Sequence, residues 1–403
     1  GEPINYIGMH GVEKDSSNTT PLRLVANSAL KNCNTGPSVN DLWPKGPNSL
    51  SNLFKVFVKW RNYPVALVWD LTKAYHSIHT SVKEKFLRLV VWRMCKTDEE
   101  WLIWGFVRVA FGDLPASVLL EMVNSIAAEA GIEIDEEAAQ KISEDSYVDD
   151  NLSGGTPEQV DRMRGNCIKS VVPVADEENK KVKFTYDGTA SKILDLVGLT
   201  PKVIVTSGEK DPDMLEKLGG RVLGHCWNAK DDILSFKFTV NLTEKKRGIR
   251  TGPDLSTDNL QIMDEMVLTK RMLLSILNSF SDPTGIVSAY LVKFKIKCRE
   301  VNTLQLGWDD YLPEELQEAW KNLVKEVVLA QEIEIARSVK PLNAVGKPEL
   351  NSHWDGSDLA YAGVIYIRWL LKQEPLFSSV DIPGTTPLFS NRAWHVAMLT
   401  SKA

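Results

Sequence analysis

The sequence predicts an α+β fold in which strands end on acidic residues and helices lie between them, and two stretches carry that expectation. The first is Ser146-Tyr147-Val148-Asp149-Asp150-Asn151, two adjacent carboxylates behind an aromatic and an apolar residue, with a turn at Gly154 and Gly155. Successive side chains of a strand leave on opposite faces. Neighbouring acids therefore persist at low cost only at a strand end or hairpin tip, where a cation can gather both. The second is the apolar run Val65-Ala66-Leu67-Val68-Trp69, which ends on Asp70 and gives way to Leu71-Thr72-Lys73-Ala74-Tyr75-His76. A solvated acidic turn accounts for an Asp-Asp pair alone. The strand-like residues before it, and a third acid upstream in a similar setting, favour a grouped site.

Taken in order, residues 1–40 are polar and turn-rich, and Lys14 to Pro21 reads as a hairpin tip leading into the strand Leu22-Arg23-Leu24-Val25. Lys14 and Arg23 flank that tip, either as ordinary surface charges or as a clamp for a triphosphate. After the turn cluster Asn40 to Pro47 comes an amphipathic helix near 48–60, with Leu50, Leu53, Phe54 and Phe57 assigned to the core. Strands are expected at 65–70, 87–94 and 104–110, the last two joined by a polar loop. Phe111-Gly112-Asp113-Leu114-Pro115 then starts a helix whose Val118, Leu119, Met122, Ile126 and Ala127 share one face. Residues 141–148 read as a strand returning to the paired acids, and 157–171 as a second helix opened by Pro157. That gives a βαβ-like pairing with the Asp70 strand.

Further strands are expected at 182–186, 221–227 and 233–240, followed by the densest basic run, Lys245-Lys246-Arg247-Gly248-Ile249-Arg250. That run reads either as a solvated loop or as a contact for a phosphate backbone. Residues 267–280, 287–300 and 313–336 read as helices, 338–348 as a linker, and 349–354, 362–370 and 393–400 as strands. Asp355, at the end of the first of these strands, is either a turn former or the first metal ligand of a nuclease.

Composition sets the limits. At 403 residues and 43% apolar content the chain is globular and long enough for two or three domains. No apolar run of about 18 residues suggests a membrane span, and the start Gly1-Glu2-Pro3 does not read as a signal peptide. Five cysteines, Cys33, Cys95, Cys167, Cys226 and Cys298, are scattered, without metal-ligand spacing. They are expected to be reduced and buried in an intracellular protein. A net charge of -6 argues against indiscriminate polyanion binding but not against a basic groove around an acidic metal site. Three carboxylates at adjacent strand ends suit two Mg²⁺ ions about 3.5–4 Å apart, one activating an attacking hydroxyl and one holding a triphosphate. Mn²⁺ accepts the same ligands.

In this order, Asp70-Leu71-Thr72-Lys73-Ala74-Tyr75-His76-Ser77-Ile78, Phe111-Gly112-Asp113-Leu114-Pro115-Ala116 and Tyr147-Val148-Asp149-Asp150 resemble the reverse transcriptase motifs of BEL/Pao-type LTR retrotransposons. Leu42 to Pro47, Val222 to Trp227, Arg250 to Pro253, Ser281 to Gly285 and Leu306 to Asp310 are similar as well. The resemblance implies a right-hand polymerase followed by a truncated ribonuclease H-like α/β domain. Fingers and palm would occupy 1–240, the fingers mainly 1–60 and 82–112, the palm mainly 61–81 and 113–240. A mostly helical thumb or connection would follow at 241–337, then the linker 338–348 and the N-terminal part of a ribonuclease H-like domain at 349–403.

It further implies that Asp70, Asp149 and Asp150, with the Leu71 carbonyl, hold the two metal ions. Lys14, Arg23, Ala74, Tyr75, Phe111 and Gly112 would contact the dNTP, with Tyr75 as the gate against a ribose 2′-hydroxyl. Leu223 and Gly224 fall in the primer grip, joined on primer and template by Lys245, Lys246 and Arg247, and Asp355 matches the first ribonuclease H carboxylate. Phe111 departs from the Gln that retroviral enzymes place there. The implied partners are an RNA or DNA template with annealed primer, dNTPs and other segments of the same polyprotein, with no membrane. The implied location is cytoplasmic, within virus-like particles. Hybrid hydrolysis is not expected from this chain by itself. A domesticated, catalytically silent nucleic-acid-binding protein of the same fold is the alternative.

Overall fold

The computed structural model describes residues 4–13, 22–31, 36–93, 100–172, 181–238, 240, 245–246, 249–250, 253–280, 282–372 and 392–402. The chain forms two compact units, 1–60 with 65–219, and 61–64 with 220–403.

The first unit is built on a four-stranded antiparallel sheet in the order Pro201–Thr206, Val65–Leu71, Asp150–Gly155, Ser146–Tyr147. Ala66, Leu67, Val68 and Trp69 are all buried, which is why the central strand reads as an unbroken apolar run instead of an alternation. The pairing expected to be βαβ-like is antiparallel. The helices Ala116–Gly131, Glu136–Glu144, Pro157–Arg164 and Thr189–Asp195 pack on one another, and Pro157–Arg164 also packs on the two central strands. Among the described residues the unit also holds three two-stranded antiparallel pairs, Gly8–Glu13 with Leu22–Asn27, Leu89–Trp92 with Leu102–Gly105, and Cys167–Val172 with Lys181–Tyr186.

Several expected elements change here. Residues 141–148 are not one strand: a helix runs from Glu136 to Glu144 and only Ser146–Tyr147 is extended. Asp135 caps that helix by accepting the Ala138 N–H, Glu136 and Glu137 fill its first turn, and Lys141 pairs with Glu137 one turn back. The helix opened by Pro157 stops at Arg164, because Gly165 turns the chain at φ 63° into the strand Cys167–Val172. The strand expected at 104–110 lies at Leu102–Gly105, and the helix expected from 48 begins at Leu53. On that helix Val56, Phe57 and Trp60 are buried while Phe54 is exposed. Met122 and Ile126 are likewise exposed, the buried face of their helix running through Val118, Leu120, Glu121, Asn124 and Ala127.

The second unit joins a sheet in the order Arg221–Val222, His225–Asn228, Ile233–Ser235, Glu334–Ala336 to the helices Lys270–Ser279, Ser288–Thr303 and Glu314–Leu329. Phe280, Phe294 and Trp320 meet edge to face in its core. Buried Arg337 binds the Tyr63 carbonyl and both oxygens of Asp232, fastening 61–64 to this unit. The segment expected to be a linker becomes a strand from Ala344 onward, the first of an antiparallel meander of Ala344–Gly356, Tyr361–Leu371 and Arg392–Lys402. Cys167, Cys226 and Cys298 are free thiols and half-exposed, not buried as expected, and Cys33 and Cys95 lie outside the described residues. Among the described residues no helix is long and apolar enough to cross a membrane.

Candidate functional site

Asp70 lies at the end of its strand directly across from Asp150, and opposed residues of an antiparallel ladder present their side chains to one face. Tyr147 pairs with the same Asp150, so Val148 and Asp149 form the two-residue turn of a tight hairpin. The Leu71 N–H donates to the Asp149 carbonyl at 3.2 Å, fastening the turn to the Asp70 strand. The three acids are thereby brought to one end of the sheet.

A fourth group joins them that the sequence did not point out. The outer strand bulges between Pro201 and Val203, and Lys202 extends its ammonium to Asp70 at 3.0 Å. Burial raises the Asp149 carboxyl above the usual range, with Asp70 adding to the rise and Arg23 and Lys202 opposing it. Asp150 is pushed up to about 7 by burial and then by the charges of Asp149 and Asp70. Among the described residues no three His, Cys, Asp or Glu side chains stand close enough to hold one ion. The donor chemistry nonetheless fits a hard divalent cation. The carboxylates repel one another, and Lys202 already supplies positive charge to Asp70.

Beside the acids lies an aromatic group. Tyr75, on the short helix Ala74–Ser77, shares a hydrogen bond between its hydroxyl and Ser117 Oγ at 3.1 Å, and burial raises its phenol pKa. Its ring meets Phe111 edge to face at 5.2 Å, and His76 meets the same ring at 5.6 Å. Arg23 lies over Phe111 at 5.8 Å. Gly112, at φ 101°, sits where a Cβ would lie 2.0 Å from the Ala26 carbonyl oxygen. Only glycine lets the Arg23 strand approach the Phe111 turn. Ala74, the first residue of the same helix, is buried. Thus Arg23, Ala74, Tyr75, Phe111 and Gly112 belong to one unit with the three acids, while Lys14 lies outside the described residues.

The remaining candidates belong to the second unit. Leu223 and Gly224 form the turn of a hairpin, both at positive φ, 45° and 98°. Lys245–Lys246 pairs with Ile249–Arg250, and Arg247 lies outside the described residues. Asp355 is exposed and accepts the Gly356 N–H at 2.9 Å, as a turn former does.

Besides Lys202, sequence reasoning missed Glu121 and Asn124, buried on the helix Ala116–Gly131 and bonded to Val148. Two polar residues three apart on an otherwise apolar face were the available signal.

Residues 269–379 match the family model described as Pao retrotransposon-like RNaseH-like domain. The match spans the helices Lys270–Ser279, Ser288–Thr303 and Glu314–Leu329 and the first two strands of the meander, and it begins within the segment read from sequence as thumb or connection. Among solved structures, the chain is similar to the foamy viral protease-reverse transcriptase dRH in complex with double-stranded DNA. The identity is 12% and the TM-score 0.48, with 98% of this chain and 52% of that chain covered. The chain thus spans about half the length of that protein. No curated protein matches it.

Proposed function

We propose that the chain is an RNA-directed DNA polymerase of an LTR retrotransposon, adding deoxynucleotides to a primer 3′-hydroxyl on an RNA or DNA template. The observation that carries this reading is the register of Asp70 against Asp150, with Leu71 bonded to Asp149, which brings the three acids to one end of the sheet. Asp70, Asp149 and Asp150, with the Leu71 carbonyl, would hold two Mg²⁺ or Mn²⁺ ions. Bound there, such ions supply activation of the 3′-hydroxyl and neutralisation of the triphosphate.

The chain's own residues orient the substrate. Arg23, held over Phe111, offers its guanidinium to a phosphate. The Tyr75 ring, fixed between Ser117 and Phe111, bars the 2′ position of a ribonucleotide. The Pao retrotransposon-like match at 269–379 supports the retroelement assignment.

The test is dTTP incorporation on poly(rA)/oligo(dT) with Mg²⁺ or Mn²⁺, before and after chelation. Extension that stops on chelation and returns with added metal is expected. A protein that binds the hybrid but extends it under neither metal is a nucleic-acid-binding protein, and the proposal fails.

A further inference from the structure

We propose that Glu121 and Asn124 are positioning residues that clamp the main chain of Val148 and so hold Asp149 and Asp150 in the geometry the reaction needs. Val148 sits at φ 58°, the left-handed region, where a β-branched side chain is a steric outlier. Such a conformation persists only where its surroundings over-determine it. Here one helix does so. Glu121 Oε1 accepts the Val148 N–H at 2.8 Å, and Asn124 Nδ2 donates to the Val148 carbonyl at 3.2 Å.

Both clamping residues are buried, 5% and 2% exposed, and their spacing of three places them on one face of the helix. Both main-chain polar groups of the strained residue are thus met by side chains. The residue after it is Asp149, whose carbonyl receives the Leu71 N–H, so a turn that relaxed would also loosen the bond to the Asp70 strand. A buried carboxylate, its pKa raised by burial, is an unfavourable choice for packing alone. An acceptor aimed at the Val148 N–H accounts for it.

The catalytic half of this inference rests on the polymerase reading; the clamp itself does not. The experiment follows primer extension and thermal unfolding in parallel for Glu121→Leu, Glu121→Gln, Asn124→Ala, Val148→Gly and the double variant Glu121→Leu/Val148→Gly. Glu121→Leu is expected to lower kcat by about tenfold to a hundredfold with dNTP KM little changed, as loss of a residue supporting a metal ligand does. Glu121→Gln keeps an acceptor oxygen and recovers most of the rate.

The double variant also recovers, because glycine takes positive φ without steric cost. In unfolding, Glu121→Leu lowers the midpoint more in the Val148 chain than in the Val148→Gly chain. Should Glu121→Leu fail to fold, Asn124→Ala with and without Val148→Gly is expected to give the same loss and rescue. Unchanged kcat in both single variants, or a double variant no better than its parent, overturns the positioning role. Equal midpoint losses in the two backgrounds overturn the clamp. Were the wild type to extend no primer, the polymerase reading would fall while the midpoints still decided the clamp.

Discussion

At the scale of single residues, the site is marked by backbone that most side chains avoid. Lys73 at φ 49° follows the Asp70 strand and Val148 at φ 58° precedes the acid pair, so both approaches to the carboxylates run through the left-handed region. Tyr75 is the residue whose role is most directly read from substrate choice. Tyr75→Val, which removes the ring between Ser117 and Phe111, is expected to lower the preference for dTTP over UTP by roughly 10–200-fold in kcat/KM. Selectivity unchanged in that variant would assign the gate elsewhere.

The position of Asp70 near a strand end was legible because an acid terminates its apolar run, and that of Asp149 and Asp150 because adjacent acids suit a hairpin tip, where Val148 and Asp149 form the turn and Asp150 begins the returning strand. Lys202 was not legible. It stands 132 residues from Asp70, and only the pairing of two distant strands brings them together.

Among the elements, the hairpin and turn that carry the aromatic group depend on one buried ion pair. Arg88, fully buried, donates to Asp113 Oδ2 at 2.8 Å, to the carbonyls of Arg108 and Phe106, and to Thr80 Oγ1. Asp113 in turn accepts from Ser28 Oγ and the Ala110 N–H. The acid of the Phe111-Gly112-Asp113 motif is therefore an anchor for the turn, not a ligand for substrate. Asp113→Ala leaves the Arg88 guanidinium buried without its partner and is expected to cost about 3–5 kcal/mol in denaturant unfolding of the first unit. A loss below about 1 kcal/mol, the range of exposed pairs, would show the network to be dispensable.

Helices and strands differed in how readily they were read. The strand expected at 65–70 is Val65–Leu71, and the helix expected after Phe111 to Pro115 is Ala116–Gly131. The helix Glu136–Glu144 was taken for a strand because Ile142 and the Tyr147-Val148 pair overshadowed the Asp135 cap.

In the whole molecule, stability is expected to depend on pH through the second unit. His225 is buried against Phe236, with Thr284 Oγ1 at 3.2 Å from its Nε2, and burial followed by the charge of Arg61 lowers its pKa from 6.5 to about 4. The folded state thus favours neutral imidazole. Below pH 6.5 the unfolded chain gains a proton that the folded chain does not, so stability is lost as pH falls toward about 4. Asp282, raised to about 6 by burial, works in the opposite direction between its unfolded value and that pH.

Comparison with His225→Gln isolates the histidine. From pH 7 to pH 4 the wild type should lose on the order of 2–3 kcal/mol relative to the variant. Parallel pH profiles would show that His225 does not set the pH dependence.

The proposed polymerase activity depends on the three acids acting together, and primer extension by the wild type beside Asp149→Asn tests that most directly. Metal-dependent dTTP incorporation that falls on the order of 10²–10³-fold in Asp149→Asn, with hybrid affinity retained, is the predicted result. Equal extension by both proteins, or hybrid binding with no extension by either, would contradict it.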